Sequence, residues 1–293
     1  MEADIHTLFT SGLYRILDFK CRCTECHTSK PEQSDTFTIS FVRTGNFLFN
    51  VFRNSLDSYN GCFLITKPGY DRTVTHVHTV PDECTIFDFS DGAYREIREL
   101  YGRTRFFRSN DLHSTLLQAS PELEYTHFHI LQLLQARQRN QLQIDQLVLE
   151  MAQQVLGSIT LYRPNEKLND RLKKNHLVTV ERAKAYMSER FVQDVSLQEV
   201  AAHCHISPFH FSRIFKSFTG CSPHQFLTAI RLKNAAILLQ NTFQPVADIG
   251  FASGFNSAEH FVAAFRQRYR CSPSDYRRAR TSSALKTDVS FFR

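Results

Sequence analysis

The feature that most limits what this chain can become is a repeat: residues 196–226 and 245–276 carry one pattern twice. Fifty positions separate Ser207 from Ser257, His210 from His260, Phe211 from Phe261, Phe215 from Phe265, Lys216 from Arg266, and Cys221-Ser222-Pro223 from Cys271-Ser272-Pro273. Upstream the spacing falls to forty-nine, pairing Leu197 with Val246, Glu199 with Asp248, Val200 with Ile249, Ala201 with Gly250 and Ile206 with Phe255; Asn256 is the inserted residue. One small unit is therefore present in two copies.

Each copy reads as helix, tight turn, helix. In the first, Ser196-Leu-Gln-Glu199 is a capping box, in which hydroxyl and carboxylate each satisfy a backbone N–H that the helix leaves unpaired. After the turn at 204–206, Ser207 is a second N-cap, Phe211, Ile214, Phe215 and Phe218 recur at helical spacing, and Gly220 ends the run. In the second, Pro245 suits a first helical position, Gly254 the turn and Ser257 the cap, with Phe261, Ala264 and Phe265 as the buried stripe. Ser222-Pro223 opens a connecting helix to about residue 240, with Phe226, Ile230, Ala235, Leu238 and Leu239 inward, and a leading helix spans about 178–191. A helical bundle would need no more than this. A short capped helix, a turn and a second helix with a polar, basic outer face is also what entry into a DNA major groove requires.

Charge favours that second use. Residues 1–164 hold 16 Lys+Arg against 19 Asp+Glu, whereas 165–280 hold 17 against 9, so the positive charge gathers where the repeat lies. With 42% hydrophobic and 22% charged residues the chain is globular, and no apolar run approaches the roughly 20 residues that span a bilayer. The N-terminus lacks the pattern of an export signal, so a cytoplasmic location without membrane association is expected, with the eight cysteines as thiols.

The stretches Ser207-Pro-Phe-His-Phe-Ser-Arg-Ile-Phe-Lys216, Gly220-Cys-Ser-Pro223, Arg231-Leu-Lys-Asn-Ala-Ala-Ile-Leu-Leu239 and Val246-Ala-Asp-Ile-Gly-Phe-Ala-Ser-Gly-Phe255 resemble the AraC/XylS family of transcription regulators, in register over residues 177–280. The family usually has Gly where Arg270 stands, so Arg270 either strains that turn or supplies a phosphate contact. The resemblance implies a non-enzymatic regulator, often an activator, of α+β multidomain fold: an N-terminal cupin-like β-barrel with a helical dimerisation segment, and a C-terminal all-α domain with two helix-turn-helix units. The expected divisions are a β sensor domain at 1–118, helices at 119–164, a linker at 165–176, the DNA-binding domain at 177–280 and a tail at 281–293. Position by position, it puts Pro208, Phe209, Ser212 and Arg213 at the bases in the first unit, and Ala258, Glu259, Val262 and Ala263 in the second. Lys216, Arg266 and Arg270 would meet phosphates. Arg213 offers two donors to guanine, while Glu259 accepts only from cytosine. The implied partners are double-stranded DNA, RNA polymerase, an effector and a second copy of the chain.

The N-terminal half carries short strand-like runs between 36 and 89, divided by Gly45, Gly61, Pro68-Gly69 and Pro81-Asp82, as in a small barrel or sandwich. From 121 to 162 the pattern turns helical, with Ile130, Leu131 and Leu134, then Ile144, Leu147, Val148, Met151 and Val155, as stripes that serve either dimerisation or cover for the barrel. Cys21, Cys23, His76, His78 and Cys84 are candidate metal ligands: His76 and His78 would share one strand face, and thiolates would complete a tetrahedral site. Against this stands ordinary packing of Cys and His in a β core, and no cofactor is required by the fold. A cupin-type metal enzyme or metal/thiol sensor with an appended helical domain is the competing function, weakened by the absence of a nearby carboxylate and later His beside His-x-His.

Overall fold

Aromatic and β-branched blocks separated by turn residues make the first half of the chain a strand-former, and helical periodicity takes over after it. The structure, a computed structural model, describes residues 3–22, 28–52, 54–77, 81–136, 140–159 and 170–279. The chain divides into two units, Met1–Glu181 and Arg182–Arg293.

The first unit runs β1 (Ala3–Thr10), β2 (Tyr14–Cys21), β3 (Glu32–Ser34), β4 (Phe37–Thr44), β5 (Asn46–Val51), β6 (Asn54–Tyr59), β7 (Cys62–Thr66), β8 (Tyr70–His76), β9 (Glu83–Phe89), α1 (Asp91–Tyr101), α2 (Arg105–Arg108), β10 (Ser114–Gln118), α3 (Pro121–Gln135) and α4 (Gln141–Ile159). Two antiparallel sheets result, one in the order β1-β2-β9-β4-β7-β10 and one in the order β3-β8-β5-β6. Alternation along the strands gives the larger sheet two buried faces. On one, Phe19, Cys21, Val42, Leu64 and Cys84 meet Phe47, Phe49, Val51 and Val74 of the smaller sheet. Ile16, Ile39, Phe41, Phe63 and Phe87 alternate with that set and are buried as well. Here α3 and α4 attach: His127 lies 2.9 Å from the Thr85 hydroxyl, and the Tyr14 hydroxyl donates to Asp145 at 2.6 Å. Burial drives the His127 imidazole down to about 3, so it is neutral.

The stripes read as dimerisation or cover are buried within this unit: Ile130, Leu134, Ile144, Leu147, Val148, Met151 and Val155 are each no more than 4% exposed, and Leu131 is half-buried. Strands β1, β2, β3 and β10 and helix α1 lie outside the 36–89 stretch read as strand-forming, and β6 lies inside it without having been singled out.

Helix α5 (Asp170–Arg190) begins inside the stretch expected as a linker: residues 165–169 lie outside the described residues, and from Asp170 the backbone is helical. The division between units falls within this helix, after Glu181. The second unit continues through α6 (Leu197–His203), α7 (Pro208–Thr219), α8 (Pro223–Asn241), α9 (Val246–Ala252) and α10 (Ala258–Tyr269), with a further helical stretch at 273–279. Ser222 and Gln225 form a capping box at the start of α8, and Phe226, Ile230, Ala235 and Leu239 are buried along it. No helix among the described residues is long and apolar enough to cross a membrane. The tail at 281–293 lies outside them.

Candidate nucleic-acid interface

The sequence repeat is a repeat in space. Helices α6 and α9 each have seven residues, and α7 and α10 each have twelve and start fifty positions apart. The caps repeat too: the Ser207 hydroxyl accepts from His210 N–H at 3.4 Å and the Ser257 hydroxyl from His260 N–H at 3.1 Å. Within the first unit Glu199 accepts from the Ser196 N–H at 2.7 Å, which holds its carboxyl below the usual range. Pro245 is the N-cap of α9, one place before the first helical position expected for it. The buried rings match as well, with Phe211 and Phe215 centroids 5.4 Å apart and Phe261 and Phe265 5.6 Å apart. All four are fully buried, each contributing about 1.5–3 kcal/mol of transfer free energy.

With those rings turned inward, the remaining residues of α7 and α10 face out. Arg213 and Lys216 on α7, and Glu259, Ala263 and Arg266 on α10, are exposed; Pro208, Ser212 and Ala258 are half-buried. The side chain of Phe209 lies outside what is described. Val262 divides its surface between solvent and the core around Phe261 and Phe265, which leaves less of it for a base contact than expected. Among the described residues, Arg213, Lys216, Arg266 and Arg270 form no side-chain ion pair with the protein, so their charges are unspent. Arg277 and Arg278, by contrast, are engaged, with Arg277 donating to the Gln244 carbonyl at 2.6 Å and Arg278 pairing with Asp275.

Arg270 sits at φ 60°, in the left-handed region. It closes α10 as Gly220, at φ 74°, closes α7. The strain expected of a side chain at this position is therefore present, and the guanidinium is also exposed. Missed from sequence was Arg231 on α8, whose Nε and Nη2 donate to the Phe191 and Gln193 carbonyls, both at 2.7 Å, tying the end of α5 to the repeat.

A second group of polar side chains lies in the first unit. Cys21, His76 and Asp82 each offer a ligand atom, and these atoms lie within 4.8 Å of one another. The Cys21 sulfur is 3.8 Å from His76 Nε2, and His76 Nδ1 is 2.6 Å from Asp82 Oδ2. Two of the expected ligands are thus together, joined by a carboxylate read from sequence only as a turn residue. Cys84 belongs to the same core, and burial with the nearby Asp82 charge raises its thiol far above the ordinary value. Cys23 and His78 lie outside the described residues.

A family model described as a helix-turn-helix domain matches residues 200–279. The transcriptional activator RhaS of Klebsiella pneumoniae is 35% identical over 96 residues, 33% of this chain and 34% of its own. The transcriptional regulator Rob of Salmonella typhimurium is 36% identical over 93 residues, 32% of each chain. The chain thus spans about a third of the length of these relatives. Among solved structures, the C-terminal domain of AraT, a response regulator from Geobacillus stearothermophilus, is 37% identical, covering 35% of this chain and 85% of that one, with a TM-score of 0.34.

Proposed function

We propose that this chain, which belongs to the AraC/XylS family through its C-terminal helix-turn-helix domain, is a sequence-specific DNA-binding transcription regulator and not an enzyme. The observation that carries the reading is the pair of equal helix-turn-helix units, each presenting an exposed helix with an unspent cation at the same place, Lys216 and Arg266. The first turn of each such helix offers backbone N–H groups and its last turn the cation, both suited to a phosphate backbone, and the helix between suits the major groove. Arg213 reads bases in the first unit. Glu259, with Ala258, Ala263 and the half-packed Val262, gives the second unit few donors, so its part is mainly to grip.

The connecting helix supports this division. Its 19 residues span about 28 Å at 1.5 Å each, short of the roughly 34 Å between successive major-groove faces. Both units then engage one face only if the duplex bends or one unit sits loosely. The N-terminal unit, a two-sheet domain of cupin-like kind, receives a signal, and RNA polymerase and a second copy of the chain are the protein partners this reading implies, with a cytoplasmic location.

Binding to duplexes selected from a random-sequence pool, followed against salt, tests it. The expected result is a steep fall of affinity with salt, with Lys216→Ala and Arg266→Ala each lowering the slope by about one unit and weakening all sequences alike. Selection that yields no preferred sequence, or binding independent of salt, contradicts the reading.

A further inference from the structure

We infer that Cys21, His76 and Asp82 form a site for one transition-metal ion of the zinc class inside the N-terminal unit. The three side chains come from the end of β2, the end of β8 and the turn before β9, and each is no more than 5% exposed. They border an otherwise apolar core of Phe19, Val42, Phe47, Phe49, Val51 and Val74. Placing a carboxylate, an imidazole and a thiol together in such surroundings is costly unless they pair closely or hold an ion. Cys21 and His76 supply two ligand atoms, with Asp82 hydrogen-bonded behind the imidazole. A tetrahedral zinc with bonds of about 2.3 Å to sulfur and 2.0–2.1 Å to nitrogen holds its S and N donors about 3.6 Å apart. The Cys21 sulfur is close to that distance from His76 Nε2, at 3.8 Å, and lies 3.9 Å from Nδ1. On the other side of the ring, Asp82 at 2.6 Å from Nδ1 keeps the proton there and leaves the Nε2 lone pair for the metal, as carboxylates do behind metal-binding histidines. Soft sulfur with imidazole selects zinc-class ions over magnesium or calcium.

The same residues offer a route for a signal, and this step rests on the regulatory reading above. Asp82 is seated so closely on Gly45 that a Cβ there would lie 2.1 Å from Oδ1, and the Gly45 N–H donates to Glu181 of α5 at 3.1 Å. An ion on Nε2 makes the Nδ1–H of His76 a stronger donor to Asp82 and so changes the support under Glu181, in a helix that continues to Arg190.

The test uses the full chain, stripped with a chelator and titrated with zinc against a chromophoric competitor, with cobalt as a second probe whose sulfur charge-transfer band reports thiolate ligation. One ion per chain is expected, together with that band. Cys21→Ser and His76→Gln should weaken zinc more than about 100-fold, and Asp82→Asn about 10- to 100-fold, while Cys62→Ser, in a thiol that instead contacts Gln118, leaves it unchanged. Circular dichroism identifies any variant that fails to fold, and the wild-type stoichiometry and cobalt band decide without it. A wild-type chain that takes up no ion, or an ion retained at full affinity by folded Cys21→Ser and His76→Gln, overturns the site. DNA affinity of stripped and loaded protein is read in parallel. A several-fold difference supports the route through Gly45, and an unchanged affinity overturns the route while leaving the site. Failure to bind DNA in either state counts against the regulatory reading alone.

Discussion

The two helix-turn-helix units have the same helix lengths and the same serine caps on their second helices, yet they differ in which left-handed positions they give to glycine. In the first unit the turn holds His205 at φ 57° and the end of α7 holds Gly220 at φ 74°; in the second the turn holds Gly254 at φ 85° and the end of α10 holds Arg270 at φ 60°. Each unit therefore keeps one side chain in a backbone conformation that disfavours it. Space explains part of the choice. A Cβ on Gly254 would lie 2.6 Å from the Phe191 carbonyl oxygen and 2.9 Å from Arg231 Nε, whereas one on Gly220 would meet nothing within 4 Å. The second unit is also the tighter inside: at Gly250, where the first unit has Ala201, a Cβ would lie 2.8 Å from the Phe261 ring. Serine caps and ring packing thus hold both copies, with a capping box added at Ser196 in the first and close approach at Gly250 and Gly254 in the second.

Substitutions across the repeat can break that comparison. Gly254→Ala combines left-handed strain with a clash against main chain and should cost about 3 kcal/mol or more of unfolding free energy, measured by urea denaturation. Gly250→Ala has only a ring to displace and should cost about 1–3 kcal/mol, although alanine is the natural residue at the matching position 201. Equal and negligible losses at 250 and 254 would mean the second unit is no tighter than the first. The smallest effects run the other way. His205→Gly and Arg270→Gly each relieve a strained residue and should raise stability by about 0.5–1 kcal/mol in the same assay, the relief being partly offset by the greater freedom of glycine in the unfolded chain. For Arg270→Gly a simultaneous loss of DNA affinity at low salt would reveal a phosphate contact as well.

Most of this second unit was legible in the sequence, because its determinants are local. Ser196 with Glu199, Ser207, Ser222-Pro223 and Ser257 mark helix starts by hydrogen bonds made within three residues, and the phenylalanine spacing marks the inward face. Repetition at a fixed offset then checks each assignment against its twin. The left-handed state of His205 was not readable, since histidine only tolerates it and the twin Gly254 lies where the offset is about to change. The first unit was harder. Strand β1 is half exposed and β6, Asn54–Tyr59, is mostly polar, so neither shows the apolar, β-forming run that identified β4 and β7. Pairing of β2 with β9 brings Cys21 beside Asp82, whose carbonyl accepts from the Cys21 N–H at 2.9 Å, and that sixty-residue separation left no local mark. His76 was found through its residue type and its spacing from His78. Its companion Asp82 was hidden in a Pro-Asp turn.

The central claim is that the first unit reads sequence while the second grips, and base preference at Arg213 tests it most directly. Arg213→Ala and Glu259→Ala are to be compared on a duplex selected by the wild-type protein and on its single-base variants. The account predicts that Arg213→Ala costs about 1–3 kcal/mol of binding and abolishes discrimination at one guanine, with Glu259→Ala close to neutral because a carboxylate beside phosphates contributes little unless it meets a cytosine amino group. Uniform weakening by Arg213→Ala, together with a changed base preference in Glu259→Ala, would contradict it and assign the reading to the second unit.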